Sequence, residues 1–307
     1  MSWQLVLADL WLRLSEKPRL AREADVERAR ARAEALAALV PLPRAFRRRE
    51  TPLWDGGRVV PALRLEAAAA GPRVVWFHGG AFCLGSPRTH ASLAAALAER
   101  IGGGAGAVLP AYRLAPEHPF PAAAEDALSA YRALLAEGVD PRRLVIGGDS
   151  AGGGLALGLL HRLLALGLPR PAVVLAFSPW ADMTLAGASL VTRATEDAYL
   201  PAARLPEVRD AYLAGADPRD PRASPWLGRF TGAPPVLIQA SRAEILLDDA
   251  RAMAATLQRD GVAVELDLWD RTPHAWQLYH AGLPEAATAL DRAAAFAVQA
   301  LAAGPEA

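Results

Sequence analysis

A mostly parallel β-sheet with helices on both faces, an α/β fold, is the class that the sequence predicts, and three observations lead to it. Short apolar runs alternate with longer helical patterns beyond residue 70, the sequence form of successive β-α-β units. The chain has 307 residues, 52% of them hydrophobic, enough to bury a full core as one large domain or two ordinary ones. Basic and acidic side chains balance at 33 each, so neither disorder nor a general nucleic-acid footprint is indicated. The single cysteine, Cys83, excludes an internal disulfide and a thiolate metal site. Arginine supplies almost all the positive charge, Lys17 being the only lysine.

From the amino terminus, Trp3, Leu7, Leu10, Trp11 and Leu14 share one face of an amphipathic helix, which is expected to dock on the rest of the protein and not on a membrane. Asp9 interrupts the apolar run and Arg13 follows it, unlike a secretory signal, and no run is long enough to span a bilayer. The expected location is the cytoplasm. Residues 21–40 form a charged, alanine-rich helix pattern that Pro41 and Pro43 should stop. Strands are then expected at 73–77, 107–111, 144–146, 172–177, 235–240 and 264–269, with helices at 87–101, 122–137, 151–166, 248–260 and 284–301. Residues 181–230, rich in Ala, Asp and Pro, break the rhythm and read as an insertion of helices and loops. Gly102 to Ala107 matches G-x-G-x-x-A but follows a helix and precedes a strand, the wrong order for a dinucleotide site.

Gly148-Asp149-Ser150-Ala151-Gly152 lies between an apolar strand and a helix pattern. A serine on such a turn projects its hydroxyl at the carboxyl edge of the sheet, and small flanking residues relieve backbone crowding. The alternative is a glycine-rich turn with a capping serine. His78-Gly79-Gly80-Ala81-Phe82 follows the 73–77 strand. Amides of Gly79 and Gly80, with Ala81 a further candidate, could join that of Ala151 in stabilising an oxyanion; the alternative is a strand-ending turn. A base for the serine should lie near the carboxyl terminus. His274, directly after the last strand, fits best, with His280 as the alternative. The acid should follow the preceding strand, where Glu244 comes first and Asp248 next; either could instead be a solvated helix-start carboxylate. Cys83 reads as buried filler, and Glu117 and His118 as parts of a structural turn.

With these residues in place, the chain resembles the hormone-sensitive-lipase-like group of α/β-hydrolase esterases. The matching segments are HGGAF at 78–82, YRLAPEHPFPAA at 112–123, GDSAGG at 148–153, SPWADMTL at 178–185, EILLDDA at 244–250 and PHAW at 273–276. The resemblance implies an α/β-hydrolase domain over 46–307, capped by an amino-terminal helical segment, 1–45, and by the insertion at about 181–230. It also implies Ser150 as nucleophile, His274 as base, Glu244 as orienting acid, and Gly79, Gly80 and Ala151 as oxyanion donors, with no metal or organic cofactor. Ala81 stands where the family usually has a third glycine, and Glu244 where many members have aspartate.

The expected reaction is hydrolysis of short to medium acyl esters through an acyl-enzyme, with lactone or amide hydrolysis or acyl transfer by the same residues as the near rival. A non-catalytic ligand-binding protein on the same fold is the rival from another class. Phe82, Tyr199, Tyr212 and Trp276, with Trp3, Leu7, Trp11 and Trp226, are candidates for an apolar substrate pocket. The expected partner is a small-molecule ester, without nucleic acid or stable membrane insertion, and a homodimer is compatible with the fold.

Overall fold

The computed structural model describes residues 1–40, 42–43 and 45–303. Ten strands run in chain order: β1 (Arg47–Glu50), β2 (Leu53–Trp54), β3 (Val59–Val60), β4 (Ala62–Glu66), β5 (Arg73–Phe77), β6 (Gly106–Pro110), β7 (Leu144–Asp149), β8 (Val173–Phe177), β9 (Val236–Ser241) and β10 (Val264–Trp269). Eight form one sheet in the order β1-β4-β6-β5-β7-β8-β9-β10, and β2 pairs with β3 separately. From β6 to β10 every pairing is parallel, whereas β1–β4 and β4–β6 are antiparallel. The apolar runs at 73–77 and 264–269 are strands at the expected bounds, and the other four shift by a residue or two at their ends or, for 144–146, extend to Asp149.

Strands β1 to β4 were not expected. β1 reads Arg-Arg-Arg-Glu and is exposed throughout, so an edge strand of this composition offers no apolar signal. β4 did carry one: Leu63 and Leu65 turn into the core while Arg64 and Glu66 remain partly exposed, a period of two.

The helices are α1 (Trp3–Trp11), α2 (Lys17–Arg22), α3 (Val26–Ala37), α4 (Ala91–Ile101), α5 (Ala122–Ala136), α6 (Ala151–Ala165), α7 (Ser189–Thr192), α8 (Leu205–Leu213), α9 (Leu247–Arg259) and α10 (Pro284–Ala303). A π-helical turn, Leu12–Glu16, joins α1 to α2. The alanine-rich pattern ends at Ala37, with Ala38 as C-cap; Pro41, expected to help stop it, lies outside the described residues. Two apolar clusters lie across the sheet. Val75, Phe77, Ile146 and Val174 join residues of α5, α6 and α9, while Val74, Trp76, Val145 and Leu175 join α4 and α10. Alternate side chains of each central strand therefore serve opposite layers. The insertion reduces to α7, α8 and three-residue helical turns.

The amino-terminal helix docks by a different face from the one its apolar stripe predicts. Trp3, Leu7, Leu10, Trp11 and Leu14 are exposed, Trp3 and Leu14 at 70% each, whereas Leu5 and Leu12 are buried. Leu5 packs with Trp276, Leu283, Ala286 and Ala289. Polar bonds supply the remaining attachment: Ser2 binds Glu285, and Lys17 Nζ donates to the carbonyls of Ala194 (2.8 Å) and Asp197 (2.6 Å). Arg13 donates to those of Thr195 and Glu196. Two cations thus satisfy four successive carbonyls in the segment just after α7. Among the described residues, no helix is long and apolar enough to cross a membrane.

Candidate active site

Ser150 sits between the end of β7 and the start of α6 with φ 54 and ψ −122, a left-handed conformation that costs a non-glycine residue energy. The turn is fixed on both sides: Ser150 N–H donates to Phe177 O (2.8 Å), and Ser150 O accepts from Trp180 N–H (2.9 Å) and Gly154 N–H (3.0 Å). The flanking glycines are sterically required. A Cβ on Gly152 would lie 2.0 Å from Phe77 O, and one on Gly148 2.3 Å from Gly152 C.

His274 and Glu244 meet in the loops after β10 and β9, adjacent parallel strands. His274 Nδ1 lies 2.6 Å from Glu244 Oε2, and both side chains are buried. The other carboxylate oxygen, Oε1, accepts from Ser241 N–H at 2.8 Å, so backbone and imidazole together fix the acid. Burial disfavours the imidazolium, but the hydrogen bond and charge of Glu244 outweigh it and raise the His274 pKa above its ordinary value. The rival candidates are engaged elsewhere. Asp248 Oδ2 accepts from Ser189 N–H, and His280 Nε2 lies 3.2 Å from Ser92 Oγ, its pKa pushed down to about 4 by burial and by Arg100.

The loop after β5 carries positive φ at Gly80 (118), Ala81 (54) and Phe82 (60), so the chain coils back and Leu84 N–H reaches Gly80 O at 2.8 Å. The N–H of Gly79, one of the expected oxyanion donors, points at His90 Nε2 (3.3 Å), behind the loop. Close packing holds it there, since a Cβ on Gly79 would lie 2.3 Å from Asp149 Oδ2.

The aromatic candidates separate into three groups. Phe82 and Tyr212 stack 3.8 Å apart at 7°, with Trp180 6.4 Å from Phe82; all three are buried beside the coiled loop. Tyr199 lies parallel to His274, 6.3 Å between ring centroids, and its N–H and that of Leu200 donate to the buried Asp197. Trp276, in contrast, belongs to the core with Leu5 and Leu283, 5.5 Å from Trp269, because the turn after His274 carries it beneath α1. Trp3, Leu7 and Trp11 are exposed, and Trp226 packs partly buried at the edge of the main core. Trp180 and Asp197 escaped the sequence reading; Trp180 lay within the quoted SPWADMTL segment, while nothing local singles out Asp197. Cys83 is buried, and burial raises its thiol pKa to about 11.

A family model described as alpha/beta hydrolase fold matches residues 74–278. The chain is 46% identical over 228 residues to an acetyl-hydrolase of Streptomyces hygroscopicus, covering 74% of this chain and 75% of that protein. It is 37% identical over 235 residues to an esterase of Acinetobacter venetianus, covering 76% and 77%. Among solved structures, an esterase of the bacterial hormone-sensitive lipase family superposes with a TM-score of 0.90 at 36% identity, covering 98% of this chain and 99% of that one. An esterase/lipase from an uncultured bacterium gives 0.90 at 37%, covering 98% and 100%. A strained serine after β7, a histidine and carboxylate after β10 and β9, and these relationships lead to one conclusion: the chain belongs to the α/β-hydrolase fold family, as an esterase of its hormone-sensitive-lipase-like group.

Proposed function

We propose that the protein hydrolyses short to medium acyl esters through a Ser150 acyl-enzyme, and the observation that carries this reading is the buried His274–Glu244 pair at 2.6 Å. His274 Nε2 takes the Ser150 Oγ proton as Oγ attacks the ester carbonyl. The carbonyl oxygen becomes an oxyanion held by the amides of Gly80, Ala81 and Ala151. Collapse breaks the C–O bond to the alcohol, which leaves with the proton from His274. Water then gives its proton to His274 and attacks the acyl group, and Ser150 recovers its proton as the acid departs. Glu244 orients the imidazole and stabilises its charged form.

Three features favour small acyl groups: the packed Phe82–Tyr212–Trp180 set, the Ala81 methyl where a glycine is usual, and the name of the Streptomyces relative. The proposed cap comprises residues 1–45 and about 181–230, its two parts joined by Lys17 and Arg13. A chain-length series of p-nitrophenyl esters, assayed beside lactones and aryl amides, tests the reading. Activity should be greatest from acetate to about octanoate, and Ser150→Ala should lose roughly five orders of magnitude in kcat. Wild-type turnover by Ser150→Ala would refute the nucleophile; rates that rise steadily to emulsified long-chain esters would refute the acyl preference.

A further inference from the structure

The turn that carries Ser150 and the loop that carries Gly80 and Ala81 are joined by a second buried histidine–carboxylate pair that the acyl-transfer steps above do not use. Asp149 precedes Ser150, yet its side chain lies beneath the loop after β5. Asp149 Oδ1 accepts from Trp76 Nε1 on β5 at 3.0 Å, and Oδ2 lies 3.1 Å from His90 Nε2. His90 caps the start of α4, where its carbonyl accepts from Ala94 N–H. Its Nδ1 lies 2.7 Å from Thr89 Oγ1, whose own hydrogen goes to Ser86 O at 2.8 Å. Nδ1 is therefore the donor, and the ring cannot rotate without losing partners on both sides. Burial alone would raise the Asp149 pKa, but His90 and the Trp76 indole more than offset this and hold the carboxyl below its ordinary range.

The Gly79 N–H enters the same group. It lies 3.3 Å from His90 Nε2 and points inward. Only the φ and ψ of Gly79 separate its amide from that of Gly80, and both glycines are closely packed, a Cβ meeting Asp149 Oδ2 at 2.3 Å on Gly79 and Leu84 O at 2.3 Å on Gly80, so anchoring the Gly79 amide limits where the following amides aim. The second side of the loop is secured independently: Tyr112 OH donates to His78 O at 2.6 Å, and its ring stacks on His78 at 4.3 Å and 16°.

We propose that His90 and Asp149 are positioning residues for acyl transfer: together they draw the Gly79 amide inward and so present the Gly80 and Ala81 amides to the oxyanion. The inference rests on the serine-esterase reading above. Neither side chain touches the substrate. Their removal should therefore weaken binding of the tetrahedral state and leave ground-state binding nearly unchanged.

The test compares His90→Leu, His90→Gln and Trp76→Phe by kcat and KM on p-nitrophenyl acetate and by inhibition with an aryl trifluoromethyl ketone. The ketone reports the oxyanion site directly: Ser150 Oγ adds to its carbonyl carbon, the serine proton passes to His274, and the carbonyl oxygen becomes the anion. For His90→Leu we expect a fall of about 10²-fold in kcat with KM within about threefold, and a loss of ketone affinity matching the fall in kcat. His90→Gln, whose amide can donate to Asp149, should recover most of both. Trp76→Phe, which removes one Asp149 donor and leaves His90, should lose less than His90→Leu and in the same proportion for kcat and ketone. If His90→Leu does not fold, His90→Gln and Trp76→Phe carry the comparison alone. Unchanged kcat, or a loss in which KM rises and ketone affinity holds, would overturn the proposal. Ser150→Ala separates the two levels: if it stays active, the esterase mechanism itself falls, whereas an inactive Ser150→Ala with fully active His90 variants removes only the positioning role.

Discussion

His274 Nδ1 and Glu244 Oε2 lie 2.6 Å apart in the closed interior although 30 residues separate them in the chain. Parallel pairing of β9 with β10 brings the two loops side by side, and the Ser241 N–H holds the second carboxylate oxygen in place. The pair sets the pH dependence. Burial opposes the imidazolium, and Glu244 raises the His274 pKa in spite of it. A base works only when neutral, so kcat/KM should rise with pH through a midpoint above the ordinary histidine value of about 6.5. Glu244→Gln removes the charge that retains the proton. The midpoint should move down while the plateau falls about 10²- to 10⁴-fold; a pH–rate profile of both proteins checks both shifts, and an unmoved midpoint would count against the pairing.

Gly152 is a position where one methyl group should abolish the turn. Its Cβ would lie 2.0 Å from Phe77 O and 2.5 Å from His78 O, both backbone atoms of the central sheet and the loop after it. Gly152→Ala should lose more than about 3 kcal/mol of stability, by denaturant unfolding, together with most activity. Gly261→Ala is the control. It has φ 76 but nothing within 4 Å of the added carbon, so its cost should remain about 1 kcal/mol.

Lys17 ties α2 to the segment after α7 through two carbonyls, and Arg13 takes the two between them. Lys17→Met keeps most of the aliphatic stem and loses both hydrogen bonds, which should cost about 1–3 kcal/mol. The consequence extends toward the site, because Asp197 also accepts from the Tyr199 and Ile245 amides, Ile245 being next to Glu244. Faster proteolysis within residues 1–30 and a lower melting temperature are the expected readouts; identical protease maps would show that the strap is held by other contacts.

Cys83 should be inert in the native protein. It is buried, and the rise of its pKa to about 11 leaves little thiolate at pH 8. Incubation with a thiol reagent should leave activity intact and modify less than one group per chain until denaturant is added. Rapid native labelling with loss of activity would place Cys83 in a more open site than its burial indicates.

Much of this protein is legible locally. The six strand segments at 73–77, 107–111, 144–146, 172–177, 235–240 and 264–269 form the parallel part of the sheet: the first five are buried and so read as mostly apolar runs, whereas the last is an edge strand that alternates apolar and polar residues. The edge strand β1 was not legible, since three arginines and a glutamate at a solvated edge have the composition of a loop. The sequence also brought Ser150, His274 and the first carboxylate after β9 forward as candidates, because strand ends and chain order restrict where such groups can converge.

Tertiary structure decided what spacing could not. It paired Glu244 with His274 and gave Asp248 a different partner, Ser189 N–H, near the insertion. It turned the Gly79 amide inward, because Asp149 and His90 occupy the space behind the loop. It also reversed the amino-terminal helix: periodicity identifies an apolar stripe, but four carbonyls waiting for Arg13 and Lys17, and the Trp276 cluster waiting for Leu5, selected the opposite face. Local pattern fixes which elements form and which side chains reach the sheet edge. Which donor meets which acceptor depends on groups far apart in the chain, and burial makes each of those pairings costly to leave unmade.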